Sequence, residues 1–456
     1  MILFIHRKDL RISDLPAFEW IRKQQRPSLH VLIIDPSLVG SDRYHQHSGK
    51  TFLKHVNSLK EQYQHHQAHL HVLFGNPKDV LLSLLQSHPI DTLVFHADYT
   101  PYAIERDRSL IEIAHQQQIE LQIFDDLSLM HIDRFQQFAG KTAPYQVFTP
   151  FYRKWSNYLA MDASSPLKTS IAQLQTSLLS EPFRMSNDRS FQNFPFNWSE
   201  FSVFEETPQE RLRRFFNDHL HEYSTARDFY ATDSCSNMSI FTNSGVISAR
   251  ELYFEALKQP SSMRETWIRQ LAWRDFYLYQ AQLSPDFFRF ELKFDLTLLE
   301  PAEFSRWCTG TTGIPVIDAA MRQLNTTGEM PNRLRMVTAM FLTKNMQCPF
   351  TWGEQYFRIH LADYDNILNR GGWLWSSSFG YDASPYFRIM NPVTQSQRFD
   401  AGGTYLRRWM PELRSKSDKE IHLPYGTPVV DLASSRVQAI EKYKLILGGA
   451  RNDTTA

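Results

Sequence analysis

The chain has 456 residues and a mass of 53.5 kDa, and its 49 lysines and arginines balance its 49 aspartates and glutamates. A hydrophobic content of 42% and a charged content of 21% are ordinary globular values, which excludes a largely disordered protein. No apolar run reaches the roughly 20 residues of a membrane helix, and the three cysteines lack the paired spacing of a metal cage.

Five short apolar runs alternate with segments of helical period over the first 126 residues. This alternation predicts an α/β domain, residues 1–130, with a doubly wound parallel sheet buried on both faces. His6–Arg11 follows the first run, in place of a Gly-x-Gly-x-x-Gly turn, so a nicotinamide-type site is disfavoured here. The predicted strands are Ile2–Ile5, Leu29–Asp35, Leu70–Phe74, Thr92–His96 and Glu120–Phe124.

Serine, proline, asparagine and isolated aromatic residues dominate residues 131–204. We interpret this segment as a long inter-domain linker along the surface, with a turn-rich stretch at Ser186–Ser199. After Pro208 apolar residues recur at helical spacing, which predicts an all-helical domain over residues 205–456. Its predicted helices are Gln209–His219, Ser248–Leu257, Glu265–Leu283, Ile314–Leu324, Arg333–Met346 and Trp352–Leu361.

Basic charge and tryptophan are concentrated in the C-terminal part. Residues 320–415 carry 11 basic and 7 acidic side chains, a balance of +4, whereas residues 1–140 carry 14 and 16, a balance of −2. Ten of those eleven cations are arginine, which suits bidentate phosphate contacts, and seven of the ten tryptophans lie between Trp267 and Trp409. We therefore expect phosphate binding and aromatic chemistry in this region.

The segment Asn332–Met336 combines an amide, two arginines and a methionine. On a helix Asn332, Arg335 and Met336 share one face. An inward-facing Arg335 needs a carboxylate, for which Asp363 and Asp365 are available, because an isolated buried charge is very costly. A purely structural ion pair is the alternative.

Two further strings combine amides with indoles. Gln270 and Trp273 lie one helical turn apart, an arrangement that can bind the edge of a flat heterocycle and stack on its plane. The alternative is a core aromatic beside a surface glutamine. Asn369–Trp375 holds an asparagine and two tryptophans around two glycines, which favours the wall of a cofactor site over an ordinary core.

Asp233–Ser239 is rich in small hydroxyl residues and can cradle a phosphate, although a helix cap is the commoner meaning of such a string. Histidines cluster at residues 45–47 and 65–71 without a cysteine or carboxylate set at ligand spacing, so no metal site is predicted. Hydrolase and nucleoside-triphosphatase functions lack support, because paired carboxylates, a Gly-x-Ser-x-Gly elbow and a Walker loop are missing.

Taken together, ordered strings along nearly the whole chain resemble the DNA photolyase and cryptochrome family, most closely its class I cyclobutane pyrimidine dimer photolyases. The matching strings are Arg7–Arg11, Tyr99–Asp107, Trp273–Tyr277, Gly313–Leu324, Asn332–Met336, Gly371–Trp375 and Pro385–Pro392.

The resemblance implies an α/β antenna-binding domain and a helical domain that binds FAD and DNA. It also implies a deoxyribodipyrimidine photo-lyase, which uses light to transfer an electron from FADH⁻ to a pyrimidine dimer flipped out of damaged DNA. A folate, a deazaflavin or a second flavin is the implied antenna chromophore. The opening MILFIH has no export signal, so we expect a cytoplasmic protein, and we expect a monomer without a metal or a membrane partner.

The resemblance also assigns roles to individual positions. Those implied for catalysis on the dimer are Gln270, Trp273, Asn332, Met336, Asn369 and Trp375. Those implied for electron transfer to the flavin are Trp352 and Trp373. Those implied for FAD binding are Tyr223, Cys235, Ser236, Asn237, Met238, Ser239, Gln270, Asn332, Arg335, Asp363, Tyr364, Asp365 and Asn369. Those implied for DNA binding are Arg227, Trp273, Arg274, Tyr277, Arg333, Arg388 and Gln395.

Several positions depart from the family pattern. Gln270 replaces a glutamate that can supply a proton to the dimer, and an amide has no acidic proton. Thr297 stands at the outer tryptophan of the electron-transfer chain and cannot be oxidised, so we expect flavin photoreduction either to be slow or to use another aromatic, Trp307 or a nearby tyrosine. Cys235 and Asn237 vary the usual phosphate-binding string.

These departures keep two other functions open. One is a cryptochrome-like blue-light photoreceptor without repair activity, and the other is a repair-impaired flavoprotein that binds damaged DNA. Trp273, Met336, Asn369 and Trp375 favour catalysis over both.

Overall fold

The computed structural model describes residues 1–40, 43–179 and 194–449, so part of the predicted turn-rich stretch, residues 186–193, lies outside the described residues. The chain divides into two compact units. The first unit comprises Met1–Ala143, Tyr152–Phe216 and Ser236–Tyr279, and the second comprises Pro144–Phe151, Asn217–Cys235 and Gln280–Ala456. Across the described ranges, no helix is both long and apolar enough to cross a membrane.

A parallel sheet forms the centre of the first unit. Its five strands, within the described residues, lie in the order β3-β2-β1-β4-β5. Ile2 of the central strand pairs with Ser28 on one side and Thr92 on the other, as in a doubly wound fold. The prediction of a parallel α/β sheet is confirmed. The strands are β1 Ile2–His6, β2 Ser28–Ile34, β3 His71–Phe74, β4 Thr92–His96 and β5 Glu120–Phe124.

Alternate residues of β1 enter two apolar cores, one on each face of the sheet: Phe4 packs in one and Ile5 in the other. Helices cover both faces, and proline at the first helical position starts several of them, as at Pro101 after the Thr100 cap. The helices up to residue 283 are α1 Pro16–Gln24, α2 His47–His65, α3 Pro77–Ser87, α4 Pro101–Gln116, α5 Ile132–Ala139, α6 Phe148–Asp162, α7 Pro208–Asp218, α8 Ala249–Leu257 and α9 Ser261–Leu283.

The remainder of the described chain is helical, as the sequence predicts, and a π-helical turn, Phe341–Asn345, continues the helix that carries Arg335. Single-turn helices also occur at Pro36–Val39, Tyr223–Ala226 and Ser239–Thr242. The helices after residue 283 are α10 Phe304–Thr309, α11 Pro315–Thr327, α12 Asn332–Met340, α13 Phe350–His360, α14 Asn366–Ser376, α15 Pro392–Phe399, α16 Thr404–Trp409 and α17 Leu432–Gly448.

The segment interpreted as a surface linker contains regular, buried structure. Helices α5 and α6 lie within residues 131–204, and Phe135, Phe151 and Trp155 are buried. Apolar side chains three and four residues apart explain the burial of α6, because they form one continuous stripe on a helix. The predicted domain boundaries at residues 130 and 204 stay a prediction.

A buried carboxylate joins the ends of β1 and β4. Asp9 bonds the Nδ1 atoms of His6 and His96 at 3.0 and 2.5 Å and accepts the backbone N–H of Arg7. Burial alone would raise the pKa of Asp9, but the two histidines outweigh it and hold that pKa well below its usual value. The ionised carboxylate therefore stabilises the fold at neutral pH, and this stability is lost as the pH falls below about 4.

Replacing Asp9 with asparagine should lower the free energy of unfolding by about 3 kcal/mol, because an amide cannot satisfy all the hydrogen bonds that the buried carboxylate makes with His6, His96 and the Arg7 backbone. Denaturant unfolding at pH 7 measures the change. Glu112→Gln, on an exposed position of α4, is the matched control and should stay within about 0.5 kcal/mol of wild type. Equal stability of the Asp9 variant and wild type would contradict this assignment.

Candidate functional site

In the second unit, α12 presents Asn332, Arg335 and Met336 on one side. The Asn332 amide lies 3.6 Å from the Met336 sulfur. Arg335 donates through Nη2 to both oxygens of Asp363 at 2.9 Å and through Nε to the Met330 carbonyl. Asp363 is one of the two carboxylates expected for Arg335. The pair is partly covered, with 28% of Arg335 and 11% of Asp363 exposed, so it is held more firmly than a surface ion pair.

The second expected carboxylate, Asp365, caps α14. Its side chain accepts the backbone N–H groups of Ile367 and Leu368 at 2.9 and 3.0 Å. One turn later the Asn369 side-chain N–H donates to the Glu354 backbone carbonyl at 3.1 Å. The Asn369 Oδ1 takes no part in this contact. The preceding Tyr364 is half-buried. Helix α14 thus begins with a fixed carboxylate and a fixed amide.

Glycines shape the rest of α14. Gly372 is exposed, and nothing lies within 4 Å of the position that a Cβ would occupy. On a helix Asn369, Gly372 and Trp375 follow one another at three-residue spacing, so the open space lies between the amide and a half-buried indole. Because Gly372 has no side chain, another group can approach the helix backbone closely at this point.

Two contacts that support α14 were not predicted from the sequence: the ion pair of Arg370 with Glu354 and the packing of Trp373 on Gly353. The buried Arg370 guanidinium binds Glu354 at 2.9 Å and also binds Glu291. A Cβ at Gly353 would lie 2.0 Å from the Trp373 ring, so only glycine permits this packing. The glycine inside the predicted helix Trp352–Leu361 could have indicated close packing at that point. Nothing in the sequence indicates that Glu354 pairs with Arg370.

The Tyr223 ring is buried, and the Arg227 guanidinium lies 5.7 Å from its centroid. Burial raises the pKa of Tyr223 to about 12. The Cys235 thiol donates to the Arg227 carbonyl at 3.6 Å, and burial raises the pKa of Cys235 to about 11, so this thiol stays protonated at neutral pH. Tyr223, Arg227 and Cys235 therefore form one group within the second unit.

The arginines implied for DNA binding differ in their contacts. Arg333 pairs with Asp228 at 2.5 Å and lies over the Phe399 ring at 5.0 Å, so its charge is partly neutralised. Arg388 is exposed. Gln395 on α15 has a buried Oε1 atom that lacks a hydrogen-bond partner among the described residues, and such an atom is costly to bury.

Helix α9 carries the implied site residues of the first unit. The Gln270 amide donates to the Thr266 carbonyl of its own helix at 3.2 Å. The Trp273 ring lies 5.8 Å from the Tyr277 ring, and both side chains are half-buried. Arg274 is mostly covered and donates to the Leu127 carbonyl, which leaves little of this guanidinium for a phosphate.

Asp275 anchors this part of α9. It is buried and accepts the backbone N–H groups of Leu129 and Met130 and the indole N–H of Trp155. Burial raises the pKa of Asp275.

The implied phosphate-binding residues Ser236, Asn237, Met238 and Ser239 also belong to the first unit. Ser236 is half-buried and Met238 is buried. Asn237 has a left-handed φ of 50°, and Ser239 starts a single helical turn.

The implied electron-transfer positions both belong to the second unit. Trp373 is buried, whereas Trp352 is 42% exposed. Thr297, where the family carries an outer tryptophan, is exposed on a 3₁₀ turn and bonds Asp295. Trp307 is fully buried, and its ring centroid lies 6.2 Å from that of Trp373.

Two family models match the chain. Residues 2–170 match the model described as DNA photolyase, and residues 267–448 match that described as the FAD binding domain of DNA photolyase. Among curated proteins, the deoxyribodipyrimidine photo-lyase of Alkalihalophilus pseudofirmus is 32% identical over 96% of both chains. That of Escherichia coli is 35% identical over 67% of this chain and 69% of the relative.

Solved structures agree over nearly the full length. A class III photolyase from Agrobacterium tumefaciens has a TM-score of 0.83 at 26% identity and covers 98% of both chains. An archaeal photolyase from Sulfolobus tokodaii, solved with two FAD molecules, has a TM-score of 0.82 at 26% identity, with 98% of this chain and 100% of that chain covered. A Synechocystis cryptochrome has a TM-score of 0.81 at 25% identity, with 97% and 98% covered. The chain belongs to the DNA photolyase and cryptochrome family.

Proposed function

We propose that this protein is a class I cyclobutane pyrimidine dimer photolyase, which repairs DNA by light-driven electron transfer from reduced FAD to a flipped-out dimer. The observation that carries the photo-lyase activity is the identity of 32% over 96% of the chain with a deoxyribodipyrimidine photo-lyase, while the assignment to class I rests on the matching sequence strings. Flipping suits such a lesion because two adjacent pyrimidines that are covalently dimerised stack and pair poorly, which lowers the cost of their extrusion.

The residues of the second unit fit FAD. Gly372 has open space beside it on α14, so a flat ring can approach the helix backbone closely there. The Asn369 Oδ1 is a neutral acceptor for a ring N–H, and the Arg335–Asp363 pair offers a cation and an anion to the polar edge. Tyr223 and Cys235 supply a hydroxyl and a thiol group for phosphates and the ribityl chain.

When bound, reduced FAD supplies the photoexcited electron. The chain's own groups bind the lesion: we assign stacking to Trp273 and Trp375, and side contacts to Asn332 and Met336. Gln270 would hydrogen-bond the dimer edge without donating a proton to it. Arg227, Arg333 and Arg388 would bind DNA phosphates with an affinity that falls with salt, and Gln395 and Tyr277 would add polar contacts.

Replacing Gln270 with glutamate should raise the repaired fraction per absorbed photon by about twofold or more, because a protonated carboxyl can supply the proton that an amide lacks. The gain should grow as the pH falls toward the glutamate pKa, while wild type should lack this pH dependence. Repair yield at calibrated photon dose measures both. Gln270→Met, which has no hydrogen-bond donor, is the control and should repair less than wild type. An unchanged or lower yield of the glutamate variant refutes this role.

Illumination of the reduced protein with a dimer-containing oligonucleotide tests the proposed function. Recovery of intact thymines in the light, and none in the dark, supports repair. Binding to damaged DNA without recovery would overturn it in favour of a repair-impaired flavoprotein. Equal binding to damaged and intact DNA, without recovery, would instead favour a cryptochrome-like photoreceptor.

A second chromophore belongs to the proposal, since the Sulfolobus tokodaii photolyase carries two FAD molecules. We propose that residues 1–130 bind a folate, a deazaflavin or a flavin as antenna, and that residues 205–456 bind FAD. Mass spectrometry of chromophores extracted from the purified protein distinguishes these compounds. A cytoplasmic monomer without a metal completes the proposal.

A further inference from the structure

The buried Arg370 of α14 lies at the centre of a polar cluster within the second unit. Only 3% of this residue is exposed, and each of its three side-chain nitrogens donates a hydrogen bond. Nε donates to the Phe287 carbonyl at 3.2 Å, Nη1 donates to Glu354 at 2.9 Å, and Nη2 donates to Glu291. The guanidinium also lies 5.0 Å from the centroid of the Phe350 ring. Because every nitrogen is already engaged, Arg370 is suited to joining elements of the fold and not to binding a ligand.

The partners of Arg370 belong to two different elements. Glu354 and Phe350 lie on α13, and the other two partners lie on the 3₁₀ segment Phe287–Lys293. A guanidinium holds several acceptors in fixed directions, because its donors form a rigid planar fork. Arg370 therefore fixes this level of α14 against both neighbouring elements.

The preceding residue, Asn369, contacts the same residue of α13. Its Nδ2–H donates to the Glu354 backbone carbonyl at 3.1 Å, while the Glu354 carboxylate accepts from Arg370. Consecutive residues of α14 thus bind the backbone and the side chain of Glu354. Since residues of one helix keep fixed relative positions, the contacts of Arg370 also determine where the Asn369 amide meets this carbonyl. They thereby determine the direction of the Asn369 Oδ1.

A hydrogen-bond acceptor at Asn369 would distinguish the two redox states of a flavin ring. Reduction adds an N–H group to the ring, and the Asn369 Oδ1 can accept a hydrogen bond from such a group. A misplaced acceptor weakens the binding of the reduced ring only, by up to about tenfold for one hydrogen bond.

We propose that Arg370 is a positioning residue, which acts through Glu354 to hold the Asn369 amide in the orientation that favours reduced FAD. This inference rests on the proposed FAD site. Arg370 has no contact with the flavin in this arrangement, so its whole effect passes through Asn369. A substitution that loosens Arg370 should therefore weaken the binding of reduced FAD more than that of oxidised FAD.

The midpoint potential of bound FAD, measured by reductive titration against a reference dye, reports the ratio of the affinities for reduced and oxidised FAD. Arg370→Lys keeps the positive charge but has one side-chain nitrogen in place of three, and it should lower this ratio at least about threefold. A threefold fall corresponds to a potential about 14 mV lower for a two-electron couple.

Arg358→Lys is the matched control for this exchange. Arg358 lies one turn after Glu354 on α13, so the variant makes the same substitution beside the same carboxylate. It should leave the potential unchanged. An unchanged potential in Arg370→Lys, or an equal shift in Arg358→Lys, would overturn the proposal.

A double-mutant cycle with Asn369→Ala separates positioning from a purely structural role. Asn369→Ala removes the acceptor and should lower the affinity ratio by about tenfold on its own. In that background Arg370→Lys should have no further effect on the potential, because the group that it positions is absent. An equal shift in both backgrounds would overturn the proposal, since Arg370 would then act on the flavin by another route.

A second variant covers a failure of Arg370→Lys to fold. Glu354→Gln keeps the backbone carbonyl that binds Asn369 but removes the charge that binds Arg370, and it should lower the affinity ratio at least about twofold. An unchanged potential in folded Glu354→Gln protein would overturn the proposal. Wild-type protein that binds no FAD would instead refute the proposed function, so the two failures are distinguishable.

Discussion

Replacing Trp375 with alanine is expected to weaken binding to dimer-containing DNA by about 10- to 100-fold, because stacking of a base on an aromatic ring contributes about 1–3 kcal/mol. Backbone N–H groups of Ser378 and Ser384 hold the Trp375 carbonyl, so the chain around the lost ring should keep its conformation. Fluorescence anisotropy with damaged and undamaged duplexes measures the effect.

Undamaged DNA provides the internal control for Trp375→Ala, since phosphate contacts from exposed arginines are unaffected by loss of the ring. Trp375→Phe keeps an aromatic face and should bind damaged DNA within a few-fold of wild type. If the alanine variant retains full preference for damaged DNA, Trp375 does not stack on the lesion.

Replacing Arg335 with methionine should weaken FAD binding by at least about 30-fold. The variant removes the cation that we assign to the polar edge of FAD, and a hydrogen bond to a charged group contributes about 2–3 kcal/mol. We take the lower end because Arg335 is more than a quarter exposed. Titration of the FAD-free protein with FAD measures the affinity.

Two further variants distinguish a loss of FAD binding from a loss of folding. Arg333→Met removes the neighbouring arginine of α12, which pairs with Asp228, and should keep FAD while losing affinity for DNA. Arg335→Met combined with Asp363→Asn should recover thermal stability without recovering FAD affinity. Full FAD affinity in Arg335→Met would place the flavin edge elsewhere.

The sheet was predictable because its strands are short apolar runs bounded by polar turns, and two of them, Thr92–His96 and Glu120–Phe124, have the predicted bounds. Helix α6 was missed although Phe148, Phe151 and Trp155 recur at helical spacing, because polar residues surround the stripe. The π-helical turn Phe341–Asn345 was also missed, since apolar periodicity does not distinguish it from an α-helix.

Site geometry was predictable where it depends on side-chain charge. The need of a covered guanidinium for a carboxylate predicted that Arg335 pairs with Asp363 or Asp365, and the structure selects Asp363. The contact of Asn369 with a backbone carbonyl of Glu354 was not predictable, because any residue supplies a carbonyl.

The flavin content of the purified full-length chain tests the central claim most directly. We predict one FAD per polypeptide, either retained through purification or taken up by the colourless protein, with an absorption spectrum that bleaches on reduction. A folded chain that is colourless and takes up no FAD at micromolar concentration would contradict the account.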